Sequence, residues 1–414
     1  MNKYRNSSLV LLFKLFSSLK DAISICITLL IFTDLRVKTI IFIGILLYIT
    51  YLVTGALKWY SNTFYLDKDV FYYKSGIFIK KEKKIPLDSI LSIDLEENFK
   101  HRICGLKLLK IDTGANNNIK DIELLLKYNL AITLRNDLLG KNVQTVTDEE
   151  NIIYNLDLKS LFFFALTRSR FIYLIAVSFV LISLLYEANI NNLITKTHSP
   201  LVVFFILIAF FLVIKLITVS ITMNKYYNYK VKMNDNLLEI SSGFLERKVS
   251  SLNTQKVFAL KTTQNLLQRM DNKITVSVSA FGYQDNDNEE AVIFPYIDKD
   301  NVNDIIKNIF PKFIYKGKLY NINPKYKIRY KKYIFGYNNE LLYLHGGILS
   351  KTTNTILIDA INEISYKQTY FQRKYNTYKL VLGYKGKKLG DLNKFKGVDD
   401  NYIDCIVEKV LMNK

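Results

Sequence analysis

The chain has 414 residues, half of them apolar and 23% charged, with a formal net charge of +20. That length supplies core for about three domains of roughly 150 residues. Cys26, Cys104 and Cys405 are too few and too scattered for a disulfide framework or a cysteine metal site, as suits a reduced cytoplasm.

Taken from the amino terminus, the first apolar run, Leu9 to Phe16, is broken by Lys14 and lacks a small-residue cleavage site, which argues against a signal peptide. Residues 1–18 suit either an amphipathic helix lying in the membrane interface, with Phe13, Phe16 and Leu19 on its apolar side, or a plain helical lead-in. Four apolar segments follow: Leu19 to Thr33, Thr39 to Leu57, Phe171 to Tyr186 and Leu201 to Ile221. A helix of about 20 apolar residues crosses a hydrocarbon core of about 30 Å. The segments predict four spans in two hairpins, residues 19–58 and 159–223. Lys3, Arg5, Lys14, Lys58, Lys159, Arg168, Arg170 and Lys225 flank one side, whereas the connectors carry only Arg36, Lys38 and Lys196. Retention of Lys and Arg on the inner side then places both termini and all soluble regions in the cytoplasm.

The soluble regions repeat. Aligned on Gly76, Gly243 and Gly347, three segments match without a gap for about 35 residues. Fourteen residues after each glycine stand Ile90, Val257 and Ile361; at twenty-one stand Glu97, Gln264 and Gln368; at twenty-six stand Arg102, Arg269 and Arg373. Alternating apolar pairs follow: Leu109 with Ile111, Val276 with Val278, Leu380 with Leu382. Period-two alternation marks half-buried strands, and a glycine after a short strand suits a turn needing positive φ. Helical patterns close the repeats around Lys120 to Asp137, Lys299 to Phe310 and Val398 to Met412. The expected fold is therefore integral membrane hairpins plus three α+β domains, at residues 59–158, 224–311 and 312–414, each an antiparallel sheet or barrel capped by a C-terminal helix.

The chain resembles a family at this point: the membrane-flanked bacterial domains related to pleckstrin homology (PH), the YdbS/YdbT-like proteins. The residues that carry it are WYSNTFYLDKD (Trp59 to Asp69), SGIFIKKEKKIPLDSILSIDL, HRICGLKLLKIDTG, and the QNLLQR and QTYFQR stretches of the later repeats. The order hairpin, domain, hairpin, domain, domain is more specific than any one of them. Glu97 and His101 depart from the glutamines of the later repeats. The resemblance implies a seven-stranded, helix-capped fold, cytoplasmic placement, a bacterial plasma membrane and no established enzymatic activity. It also implies, for some members, resistance to membrane-active antimicrobial peptides.

Arg102, Arg269 and Arg373 each suit a lipid phosphate or partner carboxylate, or else a structural pair within their own domain. Gln264 with Gln268, and Gln368 with Gln372, stand four apart on one helical face and suit ties to backbone groups. Residues 311–414 hold 20 basic against 8 acidic residues, densest at Lys325, Lys327, Arg329, Lys331 and Lys332, and again at Lys385, Lys387 and Lys388. These eight are candidate contacts for anionic lipid headgroups or a partner; the alternative is plain solvation of a lysine-rich domain. Lys215 is the one charge well inside a span, where snorkelling suffices. His101, His198 and His345 have no metal-ligand spacing, and no phosphate-loop, dinucleotide or nucleophile-elbow motif occurs.

The reading is a non-enzymatic, membrane-anchored binding or scaffold protein without cofactor, engaging anionic lipid headgroups or another membrane protein of its own family, and no nucleic acid. A component of a transport system is the alternative, disfavoured by spans with almost no polar interior.

Overall fold

Leu9–Phe32 (α1) and Val37–Ser61 (α2) pair as antiparallel helices in the computed structural model. It describes residues 3–33, 36–113, 122–139, 151–168, 200–280, 291–322, 333–347, 350–370, 373, 377–384, 387–388, 395–399 and 408. At about 1.5 Å per residue both helices are long enough to cross a bilayer. Their shared face is made of small side chains. Ser18 and Ala22 are buried on α1, and one turn on Cys26 donates to the Ile40 carbonyl at 3.7 Å and lies against Gly44, where a Cβ would strike its sulfur. Such close approach is what holds helices together where lipid supplies no hydrophobic drive. The outer faces are apolar and exposed, as at Phe32 and Phe42.

The boundary expected between residues 18 and 19 has no counterpart, because α1 is one continuous helix. Lys14 does not break it; its aliphatic stem lies over Gly55 instead. A third helix long and apolar enough to cross ends at the second repeat: α6, Pro200–Tyr226. The segment Phe171 to Tyr186 lies outside the described residues.

The chain divides into two units, each taken here by itself: Met1–Glu149 with Arg247–Leu252, and Glu150–Glu246 with Asn253–Lys414. In the first, β1 (Thr63–Asp67), β2 (Val70–Ser75) and β3 (Lys81–Pro86) form an antiparallel sheet. A second sheet holds β4 (Ser92–Glu97), β5 (Leu106–Asp112) and β6 (Ile122–Lys127). Phe64, Phe71 and Ile85 of the first sheet pack with Ile93, Leu95, Leu109, Ile111 and Leu124 of the second, closed by Ala131, Leu134 and Leu138 of α4 (Tyr128–Leu138). The helical pattern expected from Lys120 is thus corrected. Ile122, Leu124 and Leu126 are buried at period two, so this stretch is strand, and the helix begins at Tyr128.

In the second unit, β7 (Ile152–Asn155) pairs with β8 (Lys230–Asn234), and β8 with β9 (Leu237–Ser242). A seven-stranded sheet follows in the order β13, β12, β11, β17, β16, β15, β14. Its members are β11 (Val257–Gln264), β12 (Lys273–Ala280), β13 (Ala291–Asp298), β14 (Leu319–Ile322), β15 (Tyr333–Tyr337), β16 (Leu341–Gly346) and β17 (Lys351–Leu357). The last sheet joins β18 (Ile361–Lys367), β19 (Thr377–Tyr384), β20 (Lys387–Lys388) and β21 (Phe395–Asp399). A helix, α8 (Lys299–Ile309), closes the second repeat as expected. In the third, Val398 lies in β21 rather than in a helix, and residues 400–407 and 409–414 lie outside the described residues.

The repeat alignment holds at the level of the backbone. Gly76, Gly243 and Gly347 have φ of 105°, 109° and 116°, a region closed to side chains by Cβ sterics. A Cβ would also strike the carbonyl oxygen of Ile79 at Gly76, and that of Ser350 at Gly347.

The strand order is what the alignment does not predict. The strand after the glycine in one repeat pairs with the fourth main strand of the repeat before it. In the first unit, β10 (Arg247–Asn253) lies against β4, with Arg247 opposite Glu97 and Lys248 opposite Glu96. In the second unit, β17 lies against β11, with Lys351 opposite Gln264 and Thr352 opposite Thr263. Both junctions share one register: four residues after the later glycine faces twenty-one after the earlier.

Candidate membrane-facing site

The end of α2 runs directly into β1, with Asn62 alone between them. Thr63 pairs with Lys74 and Ser75 with Lys81. The β2–β3 turn is therefore delivered back to the point where the chain leaves the membrane helix. At its tip Phe78 is 96% exposed and Ile79 75% exposed. Exposed Lys80, Lys81, Lys83 and Lys84 follow.

The second repeat builds the same corner with hydrogen bonds. The Gly243 amide donates to the Tyr227 carbonyl at 2.8 Å, just past the end of α6, and the Phe244 amide to the Asn224 carbonyl at 3.0 Å. The Leu245 amide donates to Asn224 Oδ1 at 3.0 Å, and the Phe244 and Tyr227 rings meet edge to face at 5.2 Å. Phe244 and Leu245 are half exposed beside the helix end. Two large apolar side chains and nearby cations at the foot of a membrane helix match the depth profile of an interface, apolar toward the acyl chains and charged toward the headgroups.

The neighbouring helix α5 (Leu158–Arg168) also meets α6 with its polar groups satisfied. Arg168 Nη1 donates to the Tyr226 hydroxyl at 2.6 Å, and Lys215 Nζ donates to the Leu166 carbonyl at 2.6 Å. Lys215 thus reaches a backbone acceptor and is no lone charge in lipid.

The three repeat-equivalent arginines occupy one structural position. Their amides donate to the residue four before: Arg102 to Asn98 at 2.9 Å, Arg269 to Asn265 at 2.9 Å, Arg373 to Thr369 at 3.0 Å. The first two lie in the short helices α3 (Phe99–Ile103) and α7 (Leu266–Met270), half-buried, while Arg373 is exposed. In the second repeat the glutamines tie the turn as expected, while Gln372 of the third lies outside the described residues. Gln264 Nε2 donates to the Lys273 carbonyl at 3.2 Å, and Gln268 accepts from the Asn265 amide at 2.8 Å while donating to Thr275 at 2.8 Å. Of the basic candidates, Lys387 and Lys388 form β20, whereas Lys325, Lys327, Arg329, Lys331, Lys332 and Lys385 lie outside the described residues.

His101 stands where the later repeats have glutamine, its ring edge-on to Phe13 of α1 at 5.4 Å. Burial pushes its pKa below the usual 6.5. The unfolded chain therefore takes up this proton first as pH falls. The stability held by the neutral ring is complete above pH 6.5 and is lost as pH falls through the lowered value. Melting midpoints of the first unit should drop between pH 7.5 and 5.5 by more than in His101→Gln. Parallel pH profiles for the two proteins would contradict this.

The first unit also holds an ionic junction that sequence analysis missed. Asp94, with its side chain 2% exposed, lies 3.3 Å from Lys248 Nζ. Lys248 is 3.8 Å from Glu96, which meets Lys110 at 2.6 Å, and Lys110 is 3.8 Å from Glu123. Buried Arg135 donates to Ser251 at 2.8 Å. The only sequence signal was complementary: acids in SIDLEE of β4, bases in RK of β10.

A second missed signature is a tyrosine that opens each repeat. Tyr4, Tyr154 and Tyr320 pair with Phe64, Val231 and Phe335, each twelve residues before its glycine. Between the tyrosine and its partner, the first two repeats insert membrane helices. The third has only residues 321–334.

Comparison with known proteins agrees with this threefold division. A family model described as Bacterial PH domain matches residues 15–141, 171–312 and 325–404. The UPF0699 transmembrane protein YdbT of Bacillus subtilis (strain 168) is 24% identical over 276 residues, 60% of this chain and 56% of that protein. The match thus spans little more than half the length of that relative. No solved structure matches.

Proposed function

From the premise that this chain belongs to the bacterial PH domain family, we propose that it is a non-enzymatic, membrane-anchored scaffold whose repeats lie against the inner leaflet. The observation that carries this reading is the return of the glycine-turn tips, Phe78 with Ile79 and Phe244 with Leu245, to the ends of membrane helices. Each tip seats apolar side chains at about 25 cal/mol per Å² of surface withdrawn from water, and the exposed lysines behind the first tip meet anionic headgroups. The chain's termini are cytoplasmic in this reading. A role against membrane-active peptides, implied by the family resemblance, would follow from holding a partner at that surface.

The third repeat supports the same reading from its chain order. Ile322 pairs with Tyr333, so residues 323–332, which include Lys325, Lys327, Arg329, Lys331 and Lys332, stand in the chain where the other repeats insert their membrane helices.

The test is an environment-sensitive dye at Phe78→Cys in full-length protein, with Cys26, Cys104 and Cys405 replaced by Ser, in nanodiscs. Its emission should shift to the blue and be quenched by headgroup-labelled lipid. The same dye at Lys68→Cys, in the turn at the far end of β1, should report water. Water-like emission at both positions would remove the membrane-facing role of the hairpin.

A further inference from the structure

Every internal strand that follows a repeat glycine is covered by a strand of the repeat before it, except the first. Among the described residues β3 pairs with β2, and no strand lies on its other side. We propose that this edge is a docking site for an acidic β-strand supplied by a different polypeptide, seated in the register that β10 uses on β4.

The register defines which residues would meet. Four and five residues after the glycine stand Arg247 and Lys248 in β10, opposite Glu97 and Glu96. The same places in the first repeat hold Lys80 and Lys81. Of the two internal junctions, the one with a basic pair faces an acidic pair: Arg247 and Lys248 of β10 lie opposite Glu97 and Glu96 of β4, whereas the single Lys351 of β17 faces the neutral Gln264 and Thr352 faces Thr263. A basic pair at this position therefore points to an occupant with consecutive carboxylates, of the SIDLEE type. Strand addition supplies main-chain hydrogen bonds, and the side-chain pairs supply selectivity.

A second copy of this chain fits poorly. Its β18 is the remaining strand of the β4 type, and the shared register would set Lys367 opposite Lys81 and Gln368 opposite Lys80. Like charges directly opposed across a ladder are destabilising. The edge thus discriminates against its own chain and in favour of an acidic strand. The competing reading is that the lysines of KEKK, with Pro86 behind them, only keep the edge closed, a common protection of exposed strands.

The test uses full-length protein in neutral-lipid nanodiscs, so that failure of the lipid reading leaves it untouched. The probe is a fluorescein-labelled peptide of residues 90–98, followed by anisotropy at low salt. Saturable binding is expected, at least tenfold weaker in Lys80→Glu/Lys81→Glu, which leaves Arg247 and Lys248 intact. A peptide with Glu96→Lys and Glu97→Lys should reverse the preference, binding the variant in place of the natural protein. Absence of saturable binding, or binding indifferent to Lys80→Glu/Lys81→Glu, would overturn the proposal.

Discussion

Lys248→Met should destabilise the first unit by about 3 kcal/mol, the lower end of the cost of leaving one partner of a buried ion pair alone. Lys248 Nζ lies 3.3 Å from Asp94, whose side chain is 2% exposed. Lys110, another nearby cation, sits 2.6 Å from Glu96 and 3.8 Å from Glu123. Removing the Lys248 charge takes from the buried Asp94 carboxylate a cation 3.3 Å away. The Lys248 side chain is 22% exposed, which admits some solvent and places the estimate at the lower end.

The double variant Lys248→Met/Asp94→Leu separates charge from packing. Replacing both members of a buried pair by apolar groups is often close to neutral. The double variant should therefore recover most of the loss, with a coupling of about 1 to 3 kcal/mol between the two sites. Denaturant titration of detergent-solubilised protein reads both numbers. A single-variant loss under about 1 kcal/mol, typical of an exposed pair, would show that water already screens this junction. The outcome matters beyond stability, because Lys248 lies 151 residues or more from β4 in the chain. Its pairing is what recruits a strand of one repeat into the body of the one before.

The local signals along the chain were legible because they are set by local physics. The glycine positions follow from φ near 110°, a backbone state that excludes other residues, so a gap-free alignment on glycine survives divergence. The turn glutamines were legible for a similar reason, since Gln268 caps its own helix. Strand partners were not legible. Alternation in RKVSSLN and SIDLEE says that each strand has one buried face, but nothing about which neighbour lies alongside. IELLLK after Lys120 reads equally as helix, because six residues do not distinguish a period of 2 from one of 3.6 and the adjoining helix lends it a helical appearance. The opening tyrosines escaped because the membrane insert between Tyr4 and Phe64, or Tyr154 and Val231, hides that they belong to one hairpin-like pair.

Neutralising Lys325, Lys327, Arg329, Lys331 and Lys332 together should detach the third repeat from anionic membranes while leaving the anchored chain in place. Each basic residue near an anionic leaflet contributes about 1 kcal/mol at most, so five set an upper bound of about 5 kcal/mol. A local attachment of that size is readable in full-length protein, because α1, α2 and α6 are each long and apolar enough to anchor the chain without it. The reporter is a dye at Lys351→Cys in the cysteine-free background. Lys351 is exposed and begins β17, the strand that follows the Gly347 turn, and β16 pairs His345 with Ile334 at the start of β15. The dye therefore sits near the end of the sheet at which residues 323–332 join Ile322 to Tyr333. Quenching by headgroup-labelled lipid should be strong in anionic nanodiscs at low salt. It should weaken as salt shortens the Debye length from about 30 Å at 0.01 M to about 8 Å at 0.15 M. The five-residue variant should show weak quenching at every salt concentration. Equal quenching in neutral and anionic nanodiscs would mean that these lysines only solvate the domain. The third repeat would then be held at the surface by its strand pairing to β11 alone.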